Sequence, residues 1–365
     1  MERYREAKRL ESALSRIFLL LPLHPITNFM DLFELTRALI DIESISGKEK
    51  QVGLFLFDCL SKLAARHQGR VERMEVEPNR FNLFAQWGEP IVTLSSHMDT
   101  VPPFIPFRED AEYIWGRGAC DAKGIIGSMI AAADELLAEG ARNFGLLFVV
   151  GEERNSAGAM AAAKAPRGSR YLINGEPTEN KLAIGSKGAL RYEVVTHGRM
   201  AHSAYPELGE SAIEKLLDVL QELRQIPLPE DAVLGRSTLN IGTISGGRAP
   251  NVIPDGARAE IMFRLAGEAT PIRAAVTRAA AGRAEVKEIL HTPAVRLSSL
   301  NGFPMTVVSY TTDIAILGDG WGKPFLVGPG SIQQAHTLEE RVSKRQLREA
   351  VEIYRKMVRQ LLSAA

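Results

Sequence analysis

The sequence predicts an α/β fold in which a mixed-sheet domain is interrupted by an inserted ferredoxin-like βαββαβ unit. Three observations carry that expectation. The short apolar runs Ile91–Leu94, Phe144–Val150 and Tyr171–Ile173 have strand length, and stretches of helical character alternate with them. Each run leads directly into polar residues, and it is beyond the C-terminal ends of their strands that open α/β sheets build sites. From residue 189 to 290 the order changes to strand, helix, strand, strand, helix, strand, before the chain returns to a glycine-rich turn at Gly328–Gly330.

The elements follow in chain order. Ile17–Leu23 is an apolar run behind basic residues, but it is short and Pro22 interrupts it. No small-residue cleavage pattern follows it, and Glu2, Glu6 and Glu11 precede it, so residues 1–29 read as an N-terminal extension with an amphipathic helix rather than an export signal. The run Ile91–Leu94 then delivers His97 and Asp99. Residues two apart on a strand point the same way, so Asp99 can reach the His97 ring and fix its tautomer. Asp121 falls in Gly116–Gly124, immediately before an alanine-rich helix that stops at Gly140. The next strand runs into Glu152 and Glu153, whose carboxylates alternation sends in different directions. The run Tyr171–Ile173 ends before Glu176, and Gly328–Ala335 leads to His336.

The interruption comprises strand Ala189–Thr196, helix Ser211–Ile226, strands Thr238–Ile244 and Ala257–Leu265, helix Pro271–Ala281 and strand Ala284–Leu290. Domain limits follow: residues 30–186 with 293–365 form one discontinuous domain, and 187–292 the insert. The last helix, Lys344–Leu362, places Leu347, Val351, Tyr354, Val358 and Leu361 on one face, which packs on the larger domain.

Composition narrows the function. The 44 basic and 44 acidic residues cancel, so neither nucleic acid nor an anionic membrane surface is a favoured partner. Two cysteines, Cys59 and Cys120, make no disulfide framework, which fits a reducing cytoplasm. No stretch is long enough to cross a bilayer. Taken singly, Asp121 could cap a helix, Glu152 and Glu153 could be a solvated pair, and Glu176 a turn residue. Taken together with His97 and His336 they meet another need. Two divalent ions about 3.5–4 Å apart take roughly three ligands each with one carboxylate shared, and His97, Asp121, Glu153, Glu176 and His336 meet that count. Cys120, a single thiol beside Asp121, reads as a small buried filler.

This order of motifs resembles the zinc-dependent amidohydrolases and exopeptidases that include acetylornithine deacetylase, succinyl-diaminopimelate desuccinylase, aminoacylase and the glutamate carboxypeptidases. The resemblance spans about residue 30 to the C-terminus. It implies that His97 and Glu176 hold one ion, that Glu153 and His336 hold the other, and that Asp121 bridges them, with Asp99 behind His97 and Glu152 as general base. It implies two zinc ions, with cobalt or manganese as alternatives, and a cis peptide after Asp121. Gly198–Pro206 resembles the motif of the family's lid, where His202 would stabilise an oxyanion, usually in the partner subunit of a homodimer. Asn251 and Arg264 match positions that grip a substrate carboxylate, although alternation along 257–265 could equally turn Arg264 to solvent. The expected activity is cleavage of the amide of a small N-acyl amino acid, as in acetylornithine deacetylase. Succinyl-diaminopimelate desuccinylase comes next, and a dipeptidase or carboxypeptidase third. A non-catalytic relative that binds an amino-acid derivative is the remaining alternative.

Overall fold

The computed structural model describes residues 31–365; the N-terminal extension expected over 1–29 lies outside the described residues. Among the described residues the main sheet has nine strands. β1 (Arg70–Glu77) and β2 (Arg80–Trp87) form a hairpin, followed by β3 (Val92–His97), β4 (Phe144–Val149), β5 (Tyr171–Asn174) and β6 (Leu182–Ser186). After the insert come β11 (Val295–Arg296), β12 (Met305–Val308) and β13 (Lys323–Leu326). Their spatial order is β1-β2-β4-β3-β5-β13-β6-β11, with β12 on β6.

The four central strands explain the site. β4, β3, β5 and β13 are mutually parallel, so their C-terminal ends share one edge. Every residue of β3 and β4 is buried, as expected for strands covered on both faces. Helices α1 (Leu32–Asp41), α2 (Lys50–His67), α3 (Lys123–Ala138), α4 (Ala157–Ala163) and the C-terminal α8 (Lys344–Ser363) belong to this part of the chain. α8 buries Leu347, Val351, Tyr354, Val358 and Leu361, the face the sequence predicts, and its main helical neighbour is α3. The short α7 (Ile314–Leu317) precedes β13.

The intervening segment forms its own four-stranded antiparallel sheet in the order β8-β9-β7-β10, from β7 (Gly188–His197), β8 (Thr238–Gly246), β9 (Gly256–Leu265) and β10 (Glu285–Thr292). Helices α5 (Ala212–Gln225) and α6 (Thr270–Ala280) cover one face. Leu190, Tyr192 and Val194 alternate toward that helical layer together with Ile261, Phe263 and Leu265. The opposite face therefore receives Ala189, Arg191 and Glu193 from β7, with Met262 and Arg264 from β9. Ser211 caps α5 by accepting the Glu214 amide at 3.2 Å. β10 runs to Thr292 rather than Leu290, because a bulge between Glu288 and Leu290 shifts its register and breaks the alternation that marks a strand in sequence.

Candidate metal centre and cleft

His97 ends β3 and is buried. Its Nδ1 donates to the backbone carbonyl of Asp99 at 3.0 Å, which leaves Nε2 facing the acidic cluster. The Asp99 carboxylate stands 3.6 Å from Nδ1, so the backbone rather than the expected side chain orients the ring. That carboxylate does something else. It accepts the Ser46 hydroxyl at 2.6 Å and the amides of Glu152 and Glu153 at 3.1 and 3.2 Å, fixing the turn after β4 that carries both glutamates. Burial works against its charge, but the His97 ring, Ser46 and the Glu152 amide hold it below the usual carboxylate range.

Asp121 presents one oxygen to each histidine. Oδ1 lies 2.9 Å from His97 Nε2, and Oδ2 lies 3.4 Å from His336 Nε2. Glu176 Oε2 is 3.9 Å from His97 Nε2, and Glu153 Oε1 is 3.0 Å from His336 Nε2. His97, Asp121 and Glu153 each offer a ligand atom within 4.8 Å of the others. The Asp121–Ala122 peptide is cis, as the resemblance implies.

The loops are locked to one another. Glu340 Oε1 accepts the amides of Gly118, Cys120 and Asp121 at 2.9, 3.2 and 3.2 Å, while Oε2 accepts Arg117 Nη1 at 2.5 Å. The chain carrying His336 thus holds the loop that carries Asp121. At Gly328 a Cβ would stand 2.6 Å from the Glu176 carbonyl, so only glycine lets these two loops meet. Cys120 is a buried free thiol that donates to the Ser331 carbonyl at 3.3 Å, in keeping with its reading as filler.

Electrostatics show what the cluster lacks. Burial, reinforced by Glu176, pushes the Glu152 carboxyl well above the carboxylate range; burial likewise raises Glu153, and it raises Glu176 well above that range. Burial opposes a charged His97, but Asp121 and Asp99 outweigh it and raise the ring's pKa well above its usual value. Asp121 and Glu153 lift His336 to about 10. Among the described residues no lysine or arginine pairs with these acids, and Glu176 Oε1 is buried without a partner. Four close carboxyl groups and two imidazoles with an orphaned oxygen are a donor set that divalent cations complete, so the residues fit a pair of metal ions.

A cleft of about 530 Å³ opens on the cluster. Asp121, Glu152, Glu153, Glu176 and His336 line it, and so do Arg191 and Arg264 from the insert's sheet. Arg264 therefore faces the site, and burial pulls its guanidinium pKa below the usual value. His202 and Asn251 do not line the cleft. His202 is exposed on a two-residue ribbon with Val252, where its Nδ1 accepts the Ala204 amide at 3.1 Å. Asn251 is exposed beside it, its carbonyl accepting the Ser203 amide at 3.0 Å. Sequence reasoning missed Ser46, Arg191 and Glu340. The one signal for Arg191 is its position two residues from Ala189, the partner of Arg264 across β7 and β9.

Residues 93–360 match the family described as Peptidase family M20/M25/M40. The chain is 40% identical over 338 residues to a peptidase M20 domain-containing protein of Schizosaccharomyces pombe, covering 90% of this chain and 84% of that protein. It is 39% identical over 386 residues to a probable carboxypeptidase of Aspergillus clavatus, covering 93% and 84%. A tripeptidase structure from Staphylococcus aureus has the same fold, with a TM-score of 0.74 at 20% identity over 91% of this chain and 99% of that one. So does an M20 family metallo-carboxypeptidase from Sulfolobus solfataricus, at 0.73 and 15% over 91% and 99%. Fold and site together define a metal-dependent hydrolase. The chain belongs to the M20/M25/M40 peptidase family.

Proposed function

We propose that the protein hydrolyses the amide bond that joins a short acyl or aminoacyl group to an amino acid with a free α-carboxylate, acting as a dipeptidase or carboxypeptidase. The observation that carries this reading is a cleft with acidic metal-ligand candidates on one part of its lining and the half-buried Arg264 on another. Arginine's planar fork receives a carboxylate bidentately and so would seat the amino acid released by cleavage. The relatives named probable carboxypeptidase support this order over acetylornithine deacetylation. Deacylation of a small N-acyl amino acid is the second reading, because the same arrangement accepts an acetyl amide, and desuccinylation comes with it.

In this reading His97 and Glu176 would hold one ion and Glu153 and His336 the other, with Asp121 serving both. Zinc suits the donors, and cobalt or manganese also fit. When bound, the ions act as Lewis acids that polarise the amide carbonyl and make water more acidic. Glu152 would take a proton from the attacking water as its oxygen bonds to the carbonyl carbon, and would give that proton to the amine nitrogen as the C–N bond breaks. Asp99 keeps the Glu152 backbone in place for both transfers. Residues 187–292 serve as a lid. His202, outside its own cleft, would reach the cleft of a second copy in a homodimer, with Asn251 beside it.

The test is a panel of dipeptides, N-acetylornithine, other N-acetyl amino acids and N-succinyl-diaminopimelate with zinc- or cobalt-loaded protein. Cleavage of dipeptides ahead of acyl amino acids supports the first reading; a single preferred acyl amino acid supports the second. Glu152→Ala should retain two ions per chain and lose about 100- to 10,000-fold in kcat. Full turnover in that variant would remove Glu152 from the mechanism.

A further inference from the structure

Arg264 accounts for one substrate carboxylate, yet Arg191 lines the same cleft. The two belong to neighbouring strands. Arg264 is paired with Ala189, and Arg191 follows Ala189 by two residues, so both project from the face of the sheet that α5 and α6 leave uncovered. Such diagonal neighbours have side-chain origins about 7–8 Å apart, close enough for two long guanidinium side chains to serve one small ligand.

Among the described residues no carboxylate lies within ion-pair or hydrogen-bond distance of Arg191 or Arg264. Other arginines do find partners: Arg117 pairs with Glu340, Arg80 with Glu49, and Arg273 with Glu288. Glu193, next on the same face as Arg191, makes no ion pair with it. Arg191 is half-buried, and its Nε is buried without a hydrogen-bond acceptor. Leaving a donor of this strength unsatisfied costs stability, and proteins accept such costs mainly where a ligand completes the set.

We infer that Arg191 is a specificity-determining residue that provides a second anion position beside Arg264, so the preferred leaving residue carries a carboxylate side chain. The substrate class is then a peptide or acyl amide ending in aspartate or glutamate. One arginine takes the α-carboxylate, and the other takes the side-chain carboxylate. The inference rests on the reading of the cleft proposed above.

The experiment compares isosteric pairs on the metal-loaded full chain: Ala-Glu against Ala-Gln, and Ala-Asp against Ala-Asn. A charge-assisted contact predicts that kcat/KM favours the acidic member by roughly 10- to 100-fold. In Arg191→Gln the acid-to-amide ratio should collapse toward one, and Arg191→Lys, which keeps the charge, should retain part of it. Calorimetry of glutamate and glutamine on chelator-treated protein reads the same preference without turnover. Equal kcat/KM within each pair, or an unchanged ratio in Arg191→Gln, overturns the inference while leaving the proposed hydrolysis intact. No cleavage of any substrate, with glutamate still bound more tightly than glutamine through Arg191, overturns the proposed function and supports the anion position.

Discussion

Glu340 is absent from any count of ligands, yet its Oε1 gathers three amides of the Asp121 loop and its Oε2 takes Arg117. Both members of that ion pair are almost completely enclosed. Removing one partner of a buried pair leaves a charge uncompensated, so Glu340→Ala should destabilise the protein by about 3–5 kcal/mol in urea titrations. Glu340→Gln keeps the shape and weakens the acceptor. It should lower metal affinity by about 10- to 100-fold in competition with a chelator, because Glu340 holds the loop that presents Asp121. Such residues are hard to read in sequence. His97, Asp121, Glu153 and Glu176 are legible because each stands close to a strand end or helix start, whereas His336 lies in a turn well beyond β13 and is marked only by the glycine-rich run that leads to it. Glu340 works on a loop 222 residues away, and Arg191 is one charged residue in an ordinary alternating strand. For Asp99 the sequence predicts proximity to His97, but not that its backbone carbonyl accepts the hydrogen bond from the ring N–H.

At the scale of elements, periodicity carries most of the information. α8 shows its buried face at three- and four-residue spacing, and that face is the one packed in the structure. Leu347 is fully buried there, so Leu347→Ala should cost about 2–5 kcal/mol in denaturant unfolding, whereas a change at the exposed Arg345 should stay within about 0.5 kcal/mol. The βαββαβ order of the insert is equally legible, since its two central strands, β7 and β9, alternate cleanly between the α5–α6 layer and the open face. The bulge in β10 and the two-residue ribbons escape such reading, because each is too short or too irregular to set up a period. The order of strands in the main sheet is not encoded locally either. β13 slots between β5 and β6 through pairing across the whole insert.

For the whole molecule, the acidic cluster sets how stability follows pH. Glu152, Glu153 and Glu176 have folded pKa values raised above those of the unfolded chain, and burial raises Asp313 to about 6. For such groups stability is fully present below the unfolded value and is lost as pH rises through the folded one. His336, raised from 6.5 to about 10, has the same sign over a higher window. Asp121, held below the carboxylate range, opposes them only in strong acid. Lys123, which burial lowers to about 7, has the opposite sign above that pH and offsets His336 there. Chelator-treated protein should therefore lose stability between about pH 4 and pH 7 in urea titrations, and Asp313→Asn should flatten that slope. Zinc should reverse the loss, adding about 4 kcal/mol at a thousandfold excess over its Kd. A stability that rises with pH after chelation would contradict the electrostatic reading of the cluster. No helix among the described residues is long and apolar enough to cross a membrane.

The placing of β13 against β5 also bears on synthesis. At ribosomal speeds of about 5–20 residues per second, roughly 150 residues separating these strands take on the order of 8–30 s to emerge. Throughout that interval β5 has an unpaired edge at the middle of the future sheet, and His336 has not yet been made. Nascent chains stalled before residue 323 should be open to protease and hold zinc weakly, so the protein's need for chaperones is greatest in the seconds before its catalytic power exists.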